Sequence, residues 1–160
     1  MQWYFFLGMA TGMRTMTGIS VLCWFAWTGL LPQGGWGIWA GHPVSVLVFT
    51  LLALGEYYGD TLPITPNRTA LPLLLARIAF ASLAGALAAN ALTEPIAGGI
   101  LFALAGVFAG AYGGIRLRLW AAQRLGTDLP AALSESTLAL ALALLAAYML
   151  HYGLLHAPIA

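Results

Sequence analysis

Five apolar segments, parted by short polar or turn-forming breaks, take up most of this chain, and six basic and five acidic side chains serve all 160 residues. A soluble domain is about one quarter charged, because its surface must face water. Here 7% of residues are charged and 61% hydrophobic, with a mean hydropathy of +0.89. Too little polar surface exists to clothe a globule, so the solvent that fits is a bilayer. Soluble enzymes, disordered regions and secreted scaffolds are excluded.

The segments fall at about 3–27, 43–58, 71–92, 96–120 and 131–155. Roughly 20 residues cross a bilayer core, so four fit comfortably and the second is short. The fold expected is an all-α membrane protein, a single transmembrane domain (1–160) bundling about five helices. The breaks carry turn chemistry: Pro32-Gln33-Gly34-Gly35, Gly41-His42-Pro43, Thr93-Glu94-Pro95 and Gly126-Thr127-Asp128. No positive stretch precedes the first apolar run, so that run is expected to be a retained membrane helix rather than a cleaved signal.

Arginine placement orients the bundle. Arg68, Arg118 and Arg124 sit at breaks that share a side with the N-terminus if every segment crosses once. The positive-inside rule then puts the N-terminus in the cytoplasm and the C-terminus outside. On this topology Trp3, Tyr4, Tyr57, Tyr58 and Trp120 form an inner aromatic belt, and Trp24, Trp27, Tyr148 and Tyr152 an outer one.

An ionisable group within hydrocarbon costs a few kcal/mol or more, which makes each a functional candidate. Arg14, Glu56, Asp60, Arg77, Arg116 and Glu135 all fall in the cytoplasmic half. Beside Thr15, Thr17, Ser134 and Thr137, they read either as a polar vestibule for a charged or strongly polar solute or as ion pairs that fix the bundle, with Arg77, Arg116 and Asp60 snorkelling to headgroups. Small residues form a second signal. Gly8 and Gly12, and Gly106, Gly110 and Gly114, recur every four residues and let helix backbones approach. They suit tight packing within one bundle or the seam of a homodimer. Both stripes belong to G-x-x-x-G-x-R, ending at Arg14 and Arg116, which suggests a faint inverted repeat relating helices 1–2 to helices 4–5.

Other signals are weaker. Cys23 is alone, so neither an internal disulfide nor a cysteine metal site exists. His42, His151 and His156 lie in separate segments without paired carboxylates, and no metal site is expected. The net charge of +1 gives no basic excess for nucleic acid. Asn67-Arg68-Thr69 matches a glycosylation sequon on the wrong side of the membrane. No catalytic triad, phosphate loop or cofactor motif is present, and no enzyme or cofactor is expected.

The stretch from Asp60 to Thr69, with Pro63, Thr65, Pro66, Arg68 and Thr69, resembles the D-x-L-P-x-T-P-x-R-T motif of small bacterial membrane proteins catalogued as domain of unknown function 4126. Gly8-x-x-x-Gly12-Met13-Arg14-Thr15 resembles that family's G-x-x-x-G-x-R-[TS]. Leu54-Gly55-Glu56 looks like its acidic end of helix two, and Pro130 to Glu135 like its entry to helix five. The family often has Glu-Asp there, whereas Ser136 follows Glu135. The resemblance implies a multi-pass protein of the bacterial inner membrane and supplies no activity. The function expected is a transporter or channel-like permeation protein for a small polar or anionic solute, surrounded by membrane lipids and homo-oligomeric, with a dimer favoured. The alternative is a non-transporting scaffold or lipid-binding partner subunit.

Overall fold

A computed structural model of the chain describes residues 1–59, 71–125 and 128–156. They form six α-helices and one 3₁₀ helix: α1 (Gln2–Met13), α2 (Thr17–Trp27), the 3₁₀ helix (Gly35–Gly41), α3 (Pro43–Gly59), α4 (Leu71–Ala91), α5 (Ile96–Leu125) and α6 (Asp128–Leu155). Among the described residues no strand occurs. Leu71–Ala91, Ile96–Trp120 and Ala132–Leu155 are each long and apolar enough to cross a membrane. The 3₁₀ helix and α3, bent by 64° between them, together make a fourth candidate span.

The first apolar segment corrects the expectation of a continuous helix over 3–27. The chain breaks at Arg14, whose backbone is extended (φ −139°, ψ 110°), and a three-residue turn leads into α2. α2 then runs back alongside α1. The position where a Cβ on Gly18 would stand is filled by Thr11 Oγ1 and lies 3.4 Å from the Leu7 carbonyl oxygen, contacts that only a helical hairpin brings about. At 1.5 Å per residue α1 reaches about 18 Å, well short of a 30 Å hydrocarbon core.

No glycine or proline marks the turn, so its backbone needs partners from elsewhere. Arg14 donates its N–H to Ala10 O at 2.8 Å, which ends α1, and Thr17 donates to Arg14 O at 3.3 Å, which begins α2. Thr15 and Met16 lie between them, and their N–H groups go to the carboxylate of Glu56 on α3. Every donor of the turn is thereby accounted for inside the protein, the condition on which irregular backbone survives away from water.

α1 lies against α5, and the two run parallel. The glycine stripes interlock there: Gly8 faces the carbonyl of Ala103, Gly12 faces Val107 and Ala111, and Gly106 and Gly110 face the backbone of Phe5 and Met9. Residue numbers rise together along both helices. This corrects the expected inverted repeat, which needs these two helices antiparallel, and it fills the glycine stripes from within the chain. α4 and α5 form an antiparallel pair in which Gly85 meets Gly99 and Ala103. α6 turns Ala139, Ala143, Ala146, Ala147 and Leu150 inward, a small-residue stripe at helical spacing.

The hairpin starts and ends on one face of the molecule, here called the root face. Met1 is 3.8 Å from the Cβ position of Gly98, Tyr4 bonds to Glu94, Asn90 bonds to the carbonyl of Gly34, and His151 Nδ1 lies 2.6 Å from Leu30 O. The end of α6 therefore stands on the same face as the start of α1. Five single crossings would put the start of the first helix and the end of the last on opposite sides; the return of α2 instead leaves the start of α1 and the end of α6 on one face. The ends of α3 and α5 and the starts of α4 and α6 lie on the far face.

Candidate functional site

The tip of the hairpin gathers the costly residues. Arg14 is 1% exposed although it is the largest fully buried side chain, and its Nη2 donates to the Ala132 carbonyl of α6 at 3.2 Å. Its guanidinium carbon lies 5.5 Å from the centre of the Tyr57 ring, a cation–π distance. A main-chain carbonyl and an aromatic face are fitting neighbours for a cation withdrawn from water.

Glu56 closes the tip from α3. Its Oε1 accepts the Thr15 N–H at 2.7 Å and its Oε2 the Met16 N–H at 2.9 Å. A carboxylate at a helix N-terminus also meets the positive end of the helix dipole, here that of α2. One residue on, the Tyr57 hydroxyl lies 2.8 Å from Thr17 Oγ1. The same seam continues toward the root face. Ser20 Oγ is 3.4 Å from Thr50 Oγ1, and Trp24 Nε1 donates to Thr50 Oγ1 at 3.0 Å.

Along this seam lie two adjoining cavities. One of about 230 Å³ is walled by Thr17, Ser20, Thr50 and Tyr57 together with Ala53 and Leu140. The other, about 220 Å³, runs on past Trp24 and Thr50 to Trp27 and Pro43 near the root face. They share Trp24 and Thr50, so the concavity extends from the tip level toward the end of α2.

The other candidates separate. Glu135 is 1% exposed, and its Oε1 stands 2.8 Å from where a Cβ on Gly114 would be, which places it on the α5–α6 side of the tip. Arg77 is buried in α4, about 21 Å from the Ala91 end by helical rise and thus near the depth of the tip. Arg116 is exposed on α5, as are Ser134 and Thr137 on α6, so these three do not line the buried group. Thr15 and Thr17 do. Asp60 and the loop residues Pro63, Thr65, Pro66, Arg68 and Thr69 lie outside the described residues. Gly114 leaves the stripe to make room for Glu135 and Met13.

From the sequence Tyr57 belongs to an aromatic belt; in the structure its ring lies against Arg14. A signal existed. Thr17, Ser20 and Trp24 repeat at i, i+3, i+7 on α2, and Thr50 and Tyr57 at i, i+7 on α3, so each apolar helix carries one hydrogen-bonding stripe. Among the described residues no group of three or more His, Cys, Asp or Glu side chains is arranged to hold a metal ion. Comparison with protein-family models, with curated proteins and with solved structures finds no match to this chain.

Proposed function

We propose that this chain is a transporter or channel-like permeation protein for a small polar or anionic solute, and not an enzyme. The observation that carries the reading is the α1–α2 hairpin, broken at Arg14 and buried at its tip. Discontinuous helices at membrane depth are how many transporters present helix ends and main-chain groups to a solute. A buried scaffold has no need of a break at this position, since an unbroken helix satisfies its own amides.

In this reading α3 to α6 cross the membrane and the α1–α2 hairpin enters and leaves on the root face. Arg116, Arg118 and Arg124 belong to the far half of α5. The positive-inside rule then assigns the far face to the cytoplasm, and the start of α1 and the end of α6 to the outside of a bacterial inner membrane. Arg14 attracts the solute's negative or electron-rich group, Glu56 supplies the coupled charge, and the α2–α3 seam is the route toward the root face. Membership of the domain of unknown function 4126 family is proposed on the motif residues alone.

Flux into proteoliposomes tests this. Vesicles carrying the protein should release small anions or polar solutes faster than empty vesicles, and Arg14→Ala should abolish the difference. A leak equal to that of empty vesicles across halides, carboxylates, phosphate and polyols would move the assignment to a non-transporting scaffold.

A further inference from the structure

Seventeen residues make up α3, yet only Val46 and Ala53 of them are buried. Its packing partners are chiefly α2 and the 3₁₀ helix. Between helices in lipid the hydrophobic effect supplies no net attraction, so packing and polar contacts must hold them. Among the described residues, the polar contacts that join α3 to the hairpin follow a seam: Glu56 to the turn, Tyr57 to Thr17, and Thr50 to Ser20 and Trp24. Glu56 makes the only charged bonds of this set, and both of its oxygens are engaged.

We propose that Glu56 is a protonatable latch: its carboxylate clasps α3 to the hairpin tip, and protonation lets α3 part from α2 and opens the cavity between α2, α3 and α6. The step is a simple proton transfer to one carboxylate oxygen, with no other bond made or broken. A carboxylate is acceptor-only, matching the two N–H donors of Thr15 and Met16. The protonated acid loses its charge and turns one oxygen into an O–H donor, a much weaker acceptor for the amide it faces, so the two-bond clasp is weakened. Several groups face the latch. Arg14 approaches from the turn, Tyr57 neighbours it on α3, and Glu135 lies beyond the turn on α6; α2 contributes hydroxyls and no charge. Asp60, four residues further along the chain, falls outside the described residues. The purpose of such a latch rests on the permeation reading, but its test reads conformation and needs no flux.

The probe is a thiol at Ala53, which is 7% exposed and lines the cavity. In a C23S background, full-length A53C protein in vesicles is alkylated with a water-soluble maleimide. Rates are divided by those of G34C, an exposed loop position, to cancel the pH dependence of thiol chemistry. With Glu56 intact, relative alkylation should rise roughly tenfold or more from neutral to acidic pH, in keeping with loss of a charge-assisted hydrogen bond. E56Q should be open at neutral pH and insensitive to acid, while E56D should retain the acid response. A ratio that stays flat with pH in the Glu56 protein overturns the latch, and so does an E56Q protein that is folded and closed. If E56Q fails to fold, the acid titration of the Glu56 protein decides alone. An acid-opened protein without solute flux would keep the latch and reject permeation; flux with a flat ratio would do the reverse.

Discussion

Thr15 donates its backbone N–H to Glu56 across 41 residues of sequence, at 2.7 Å. Together with the neighbouring bond to Met16, it lets the chain stop one helix and begin another in the buried interior, where water offers no substitute partner. The buried turn therefore depends on a contact between segments that are remote in the chain.

Interlocked backbones leave no room for a methyl group. Gly8→Ala, Gly106→Ala and Gly110→Ala each place a Cβ onto main-chain atoms of the partner helix, which cannot swing aside. Each should destabilise the protein by about 1–3 kcal/mol, the usual cost of overpacking. Gly55→Ala and Gly113→Ala meet nothing within 4 Å and should be neutral or slightly stabilising. Reversible unfolding in detergent measures both sets; equal losses in the two would refute the seam.

Tyr57 makes two separable contacts. Tyr57→Phe keeps the ring beneath Arg14 and removes the bond to Thr17, at a cost of about 0.5–1.5 kcal/mol. Tyr57→Leu also removes the aromatic face, adding about 0.5–2 kcal/mol. The same unfolding assay applies, and indistinguishable Phe and Leu variants would show that the cation–π contact contributes nothing.

Thr93 is the single non-glycine residue of positive φ among those described, at 55°, in the turn between α4 and α5. A β-branched side chain is strained in the left-handed region by about 1–2 kcal/mol. Thr93→Gly should therefore raise stability, by about 1 kcal/mol after the extra chain entropy of glycine is offset. An unchanged or lowered midpoint of thermal unfolding would show that the strain is relieved elsewhere.

Single cysteines in a C23S background test the hairpin in a membrane. Q2C and Y152C should react with an impermeant thiol reagent from the same side of sealed vesicles, and Q123C from the other side. Labelling of Q2C and Y152C from opposite sides would require α1 and α2 to form one crossing helix.

Much of the candidate site could be read from cost alone. Arg14, Glu56 and Glu135 stand out because an ionisable group is expensive in hydrocarbon, and the structure gathers all three around the tip. Arg116 also falls in an apolar helix but ends on an exposed face, since depth along a helix does not specify which way a side chain points. Tyr57 does not stand out in the sequence because an aromatic residue near a helix end has an adequate explanation at the membrane interface.

Scarcity of charge, a local property summed along the chain, is sufficient to establish helices suited to a bilayer, because every uncharged run must satisfy its own backbone. It could not reveal that the first of those runs folds back on itself. Met13-Arg14-Thr15-Met16-Thr17 contains no residue that breaks a helix; the break is stable because Glu56 arrives from another helix to accept two amides. The same holds for the glycine stripes, whose spacing announces a close contact while leaving the partner open. Packing chose α5, parallel to α1, and the return of α2 left the start of α1 and the end of α6 on one face. Helix formation depends on neighbours in sequence, whereas direction and partnership depend on donors, acceptors and surfaces that meet only when the whole chain is packed.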